Sequence, residues 1–391
     1  MIKASERSKN VKYAIRDIAV LAKQVEKEKK VLYLNIGDPN RFDFDTPDYL
    51  KKAVINAMNS GNNYYADSIG IREAVEALVK YNNNLGITTD AGSVMFTTGV
   101  SEAINVFIAS IINSGESMLI PSPSYPLYSA YLDLFGCEKK FHVLDEENGW
   151  NLDLADMEKK INEKTRAITI INPNNPTGGV YDMKTLKGLV DLAGQYNLVI
   201  LSDEIYDEMI LDGAMCHVAA ISKDVPVVTC NGLAKNFLAP GWRTGWMAIT
   251  DRDQKMTEAR EAMMQLGRAR LCSTTPMQFA VKPALEKRRT HAKATLKKLR
   301  ARRDLTFKRI NEIDGLSLVK PKAAFYAFPR INFRTDDKEF VVGMLREEGV
   351  ATVHGSGFDM PQHFRIVYLP NEKILNEAFD KIEKYVKKVR K

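Results

Sequence analysis

Apolar positions near the start of the chain recur at helical spacing. Val11, Ile15, Ile18, Leu21 and Val25 lie three or four residues apart, which predicts an amphipathic helix over residues 10–30. A short strand is expected at 31–36, running into the turn Gly37-Asp38-Pro39-Asn40. Thr46-Pro47 then opens a helix to about residue 58, since proline suits a first helical turn. Another helix is expected at 70–82. From residue 94 the pattern changes. Apolar runs at 94–97, 117–120, 140–144, 167–171, 198–203, 225–230 and 245–250 read as strands, and helical patterns at 101–112, 126–135, 154–162 and 184–196 fall between them. This alternation predicts an α/β fold with a mostly parallel sheet sandwiched by helices. Two long helices are expected at 253–265 and 277–312. The tail from Leu316 reads as strand, helix, strand, helix, a smaller α/β unit.

Composition narrows the class without naming a function. The 391 residues suffice for two domains, and 45% hydrophobic with 27% charged residues is ordinary for a soluble globular protein. No run of eighteen apolar residues occurs, so no membrane span is expected, and the N-terminus lacks the apolar core of a secretory signal. Cys137, Cys216, Cys230 and Cys272 are scattered, which fits reduced thiols in a cytoplasmic protein better than a disulfide frame. The five histidines make no metal-ligand spacing, so no metal is expected. A net charge of +7 raises the question of nucleic acid. Its main sources, residues 286–309 and 380–391, interleave with apolar positions such as Leu296, Leu299, Leu305, Ile310, Ile382, Tyr385 and Val389. Solvated faces of amphipathic helices are the expectation, with no nucleic-acid partner.

Candidate chemistry sits at expected strand ends, where open α/β sheets bind ligands. After 94–97 comes Thr97-Thr98-Gly99-Val100-Ser101, opening a helix. The N–H groups of such a terminus suit a phosphate, but Ser101 equally reads as an ordinary N-cap. After 167–171 comes Asn172-Pro173-Asn174-Asn175-Pro176-Thr177-Gly178-Gly179, a constrained loop from which the Asn175 amide can point inward. The run 198–203 ends on Asp203, with Tyr206 three residues on. A carboxylate there can keep a pyridine nitrogen protonated, or can simply cap a turn. The run 225–230 leads into residues 231–246, with Lys235 among small residues and Arg243 beside Trp242. Desolvation and a neighbouring cation turn a lysine into a nucleophile, and a guanidinium can fork onto a phosphate.

Together and in this order, these motifs resemble the class I/II aminotransferases, the fold-type I enzymes that use pyridoxal 5′-phosphate (PLP). The resemblance covers nearly the whole chain. It implies a large PLP-binding domain over 46–292 and a small domain built from an N-terminal arm, 1–45, and residues 293–391. It makes Lys235 the Schiff-base lysine and proton shuttle, Asp203 the partner of the ring nitrogen, and Asn175 and Tyr206 the pair on the ring oxygen. Arg243, Ser101 and the backbone of Gly99 and Val100 take the phosphate, and Tyr125 stacks on the ring. Tyr65 reaches the cofactor of a neighbouring subunit, which implies a homodimer with shared active sites. Arg365, in the segment 354–370, and Gly37 take the substrate carboxylate. Two departures bear on cofactor affinity: Gly232 and Ala234 stand where relatives often carry serine. Val100 likewise replaces a smaller residue.

The segments around Tyr13 and Arg16, at 35–40, at 270–278 and at 354–370 are most similar to the alanine aminotransferase branch. That implies ping-pong transfer of the amino group of L-alanine to 2-oxoglutarate, giving pyruvate and L-glutamate. Tyr13 and Arg16 would close over the substrate side chain, and Arg270 is a further candidate for a distal carboxylate. An aspartate or broad-specificity aminotransferase, or a PLP-dependent carbon–sulfur lyase, would share the same core residues.

Overall fold

The computed structural model describes residues 2–9, 11 and 14–390. The aliphatic and β-branched runs form one eight-stranded sheet: β1 (Val94–Thr98), β2 (Ser117–Ser122), β3 (Glu138–Asp145), β4 (Asn151–Leu152), β5 (Thr165–Ile171), β6 (Val199–Asp203), β7 (Val227–Gly232) and β8 (Thr244–Thr250). Their order is β1-β8-β7-β6-β5-β2-β3-β4. The pairings β7–β6, β6–β5, β5–β2 and β2–β3 are parallel, whereas β8 runs against both neighbours and β4 against β3. Strands β2, β6, β7 and β8 are buried along their whole length, as they must be when helices cover both faces. One geometric consequence matters for the site. The C-terminal ends of β1, β5, β6 and β7 and the start of the reversed β8 all lie on one rim.

The chain ends meet beside that rim. Leu32–Tyr33 pairs in parallel with Val350–Ala351, a much shorter strand than the expected 31–36. The Leu34 N–H donates to the Ala351 carbonyl, and the Val367 N–H donates to the Leu34 carbonyl. Phe364–Val367 lies between Tyr326–Ala327 and Val353–His354 in an antiparallel three-stranded sheet. Ile18, Leu32 and Leu34 share one apolar core with Phe340, Val350, Phe364 and Ile382. Truncating Phe364 to alanine there should cost about 3–5 kcal/mol.

Three expectations need correction. The helix expected over 10–30 is shorter, spanning Ala14–Val25, and follows a one-turn helix at Glu6–Lys9. The single helix expected over 277–312 is three: Thr275–Gln278, Val281–Glu286 and Arg288–Asn311. Pro283 lacks an N–H and is tolerated only in a first turn, so a helix has to begin just before it. The lysine- and arginine-rich stretch is not a purely solvated face. Arg302 and Arg303 are only 3% and 1% exposed. Arg302 bonds Asp43 at 2.7 Å, and Arg303 reaches Asp212 and Asp304, each at 2.7 Å. The last helix, Glu372–Val389, does have an apolar face, made by Leu375, Phe379, Ile382 and Tyr385, although Val389 stays exposed. No helix of the described residues is long and apolar enough to cross a membrane.

Candidate active site

Lys235 lies just past β7, and its side chain is half-buried. Its Nζ donates to the Gly37 carbonyl at 2.9 Å and sits 5.6 Å from the centre of the Phe325 ring. Burial lowers the ammonium pKa to about 8; Arg365 and Arg243 push the same way, against Asp38 and Asp203. Most of the amine is still protonated at neutral pH, but it becomes largely uncharged above about pH 8, well below the range of an ordinary lysine, as suits a nucleophile or proton carrier.

Asp203 ends β6 and is 4% exposed. Its carboxylate accepts from the Tyr128 hydroxyl at 3.0 Å and from the Ile205 N–H at 3.2 Å. Burial raises its pKa to about 6 against those two hydrogen bonds, so a cationic partner would stabilise the ionised form. Three residues on, the Tyr206 hydroxyl lies 2.9 Å from the Tyr326 hydroxyl. Burial and Tyr326 hold the Tyr206 phenol well above its usual range, so it stays protonated and able to donate.

Arg365 is 2% exposed and reaches the same place from the three-stranded sheet. One Nη donates to the Asn175 side-chain oxygen at 3.2 Å and the other to the Asn35 carbonyl at 2.7 Å. Its guanidinium lies between the rings of Tyr326 and Phe358, at 4.7 and 4.8 Å from their centres. Such packing fixes the plane of the fork. Gly37 completes the wall, because a Cβ there would strike the Tyr326 hydroxyl.

The phosphate-like corner is at Gly99. The helix Val100–Ile111 begins with Gly99 at its N-cap, at φ 73° and with no side-chain cap. Ser101 is therefore inside the first turn, and its reading as an N-cap is overturned. The Arg243 guanidinium packs directly over Gly99, where a Cβ would collide with it, and donates to the Pro240 and Thr98 carbonyls at 3.1 and 3.4 Å. A cation against a helix N-terminus is a repulsive pairing that a bound anion relieves. Gly245 lets this happen: a Cβ on it would meet the backbone of Gly99 and Val100. The residues present thus fit PLP: a desolvated amine, a buried carboxylate, phenol donors and an anion corner on one rim.

Other expected residues are distributed differently. Tyr125 is half-buried, just before the helix Leu127–Phe135. Tyr65 is 81% exposed, and no hydrogen bond among the described residues ties its hydroxyl to Lys235, Asp203 or Arg243. Arg16 is exposed near the start of Ala14–Val25, and Tyr13 lies outside the described residues. Arg270 pairs with Glu102 at 3.1 Å and donates one Nη to the Phe96 carbonyl at 2.5 Å, while its other Nη is buried without a hydrogen-bond partner among the described residues. Gly232 has a steric reason, since a Cβ would lie 2.6 Å from the Thr244 carbonyl of the adjacent strand. Tyr128, Tyr326, Phe358 and Asn35 went unread in the sequence. Only Tyr128 left a signal, in its helical spacing from Tyr125.

Comparison with known proteins agrees with this geometry. Residues 29–382 match the family model described as aminotransferase class I and II. The chain is 37% identical to the glutamate-pyruvate aminotransferase AlaA of Haemophilus influenzae, covering 98% of this chain and 97% of that one. Identity is also 37% to the alanine aminotransferase of Mycobacterium tuberculosis, covering 98% and 92% respectively. The solved structure of alanine aminotransferase from Pyrococcus furiosus superposes with a TM-score of 0.97 at 43% identity, covering 99% of this chain and 100% of that one. The chain belongs to the class I and II aminotransferases, enzymes that depend on pyridoxal phosphate.

Proposed function

We propose that this aminotransferase carries the amino group of L-alanine to 2-oxoglutarate, yielding pyruvate and L-glutamate. The observation that carries the reading is the convergence of the Lys235 amine and the Arg365 fork on Gly37 and Asn35. The names of the relatives from Haemophilus influenzae, Mycobacterium tuberculosis and Pyrococcus furiosus support the choice of substrate.

Bound PLP supplies an electron sink that weakens the bond between Cα and hydrogen of an amino acid. In this proposal Lys235 holds the cofactor covalently and moves the proton at the substrate Cα. Asp203 keeps a positive charge on the ring nitrogen, while Tyr206 and Asn175 donate to the ring oxygen. Arg243, Ser101 and the Gly99 and Val100 N–H groups hold the phosphate, and Tyr125 covers the ring. Arg365 grips the α-carboxylate in a plane set by Tyr326 and Phe358, with Gly37 closing over it. Arg16 and Tyr13 belong to the arm that meets the substrate side chain.

The exposed Tyr65, with Tyr64, Ile55, Met58 and Leu271 also exposed, supports a homodimer in which Tyr65 serves the partner's site. The contact of Leu32–Tyr33 with Val350–Ala351 supports a small domain of 1–45 and 293–391 beside a large one of 46–292. The scattered cysteines support a cytoplasmic protein.

The test is a half-reaction. Holoenzyme is mixed with single amino acids and no oxo acid, while its visible absorption band and pyruvate are followed. Loss of the band with alanine and with glutamate, and pyruvate from alanine, are expected. A band that alanine leaves intact while aspartate bleaches it, or pyruvate released with sulfide from cysteine, would replace this reading with the aspartate or lyase alternative.

A further inference from the structure

Sequence places four acidic residues on one short turn: Asp203, Glu204, Asp207 and Glu208. Three of them have an evident use or counter-ion. Asp203 faces the site, Glu204 pairs with His217 at 2.5 Å and Glu208 pairs with Arg288 at 2.7 Å. Asp207 is different. It is 6% exposed, and the Asn236 and Tyr81 side chains that hydrogen-bond it are neutral. The Asn236 amide donates to its Oδ1 at 2.5 Å and the Tyr81 hydroxyl to its Oδ2 at 3.3 Å. Burial, with the charges of Glu208 and Glu204, raises its pKa to about 6, against the charge on nearby His217 and the Asn231 side chain.

Asn231 and Asn236 bracket the loop that carries Lys235. Asn236 is also 6% exposed, and its side-chain oxygen accepts from the Glu208 N–H at 3.3 Å. It therefore spans the two segments with both ends of one amide. Tyr81 in turn receives Arg288 at 3.1 Å, which anchors the Asp207 side to a helix. Residues 203–208 and 231–236 leave neighbouring strands β6 and β7, and Asp207 ties them together beyond the end of the sheet.

We propose that Asp207 is a positioning residue for Lys235: by holding the amide of Asn236, the next residue along, it fixes the lysine loop against the turn that carries Asp203 and Tyr206. The inference rests on the reading of Lys235 as the residue that works on the substrate. Buried carboxylate-to-amide bonds are strong in low dielectric, and a small misplacement of a reacting group costs rate rather than binding. Losing this tie frees the loop and admits water to the amine, while Arg365 keeps its own partners.

The experiment uses Asp207→Ala and Asp207→Asn, with two readouts. In holoenzyme, Asp207→Ala should lose about tenfold or more in kcat while KM for alanine stays within about threefold. In apoprotein, the pH dependence of Lys235 acetylation by acetic anhydride, read by mass spectrometry, should show its half-point rising by roughly one unit from the wild-type value. Asp207→Asn keeps an acceptor for the Asn236 amide and should recover most of both. A folded Asp207→Ala protein with a lowered melting temperature but unchanged kcat and unchanged Lys235 half-point would overturn the proposal, leaving Asp207 a merely structural role. If Asp207→Ala does not fold, Asn236→Ala breaks the tie from the other side, and the same two readouts decide. Failure of the underlying reading shows separately, as wild-type protein whose cofactor is not attached to Lys235.

Discussion

The two walls of the candidate site are built in opposite ways. The proposed cofactor wall comes from the ends of β1, β5, β6 and β7 of one sheet, which carry Gly99, Asn175, Asp203 and Lys235 in chain order. The substrate wall is assembled from the two chain ends. Arg365 bonds the carbonyl of Asn35, a residue 330 positions away, and is sandwiched by Tyr326 and Phe358. The first wall is anchored by topology, because each of its residues ends or closely follows a strand of the central sheet. The second depends on how the terminal segments pack. Lys235 joins the two through its bond to Gly37.

That contrast sets the expected size of each perturbation. Lys235→Ala should abolish turnover with every amino acid, by roughly a thousandfold or more, because a base and nucleophile is lost outright. Steady-state assays with both alanine and glutamate check this. Arg365→Lys should spare cofactor binding yet cost about 2–3 kcal/mol, roughly 30- to 150-fold, in kcat/KM. Loss of cofactor on gel filtration of that variant would break the division into two walls. Gly232→Ser should destabilise by about 1–3 kcal/mol in denaturant unfolding, since its Cβ meets the Thr244 carbonyl. Ala234→Ser restores a hydroxyl without that clash and should tighten PLP by tenfold at most, on the order of 1 kcal/mol.

A smaller effect lies behind the cofactor wall. Burial disfavours charge on His217, but Glu204, with lesser help from Asp207 and Glu208, raises its pKa to about 9. Its folded-state value is then above its unfolded one. The pair contributes stability fully below about pH 6.5, and the contribution fades as pH rises through about 9. Melting temperatures of His217→Gln and wild type should therefore converge between those pH values. A gap that stays constant across the range would contradict this.

The cofactor wall was the legible one. Strand ends announce themselves by apolar runs stopping at Asp203 or at the Asn-Pro loop, and a lysine among small residues stands out locally. Even so, the linear reading placed Ser101 at the helix cap that Gly99 occupies, since both are acceptable N-caps and only the backbone angle separates them. On the substrate wall, Arg365 and Gly37 were reached by resemblance alone. Nothing near Arg365 in sequence indicates that Asn35 and Tyr326 are its neighbours, because those contacts close over tens to hundreds of residues. The same holds for Arg302 and Arg303, whose burial depends on Asp43 and Asp212 far along the chain.

The central claim is that Lys235 is the residue that both walls serve. The most direct measurement is to reconstitute the protein with PLP, reduce it with borohydride and locate the fixed cofactor by peptide mass spectrometry. The account predicts a single modified peptide carrying the label on Lys235. Label on another lysine, or unlabelled protein that nonetheless turns over alanine, would contradict it.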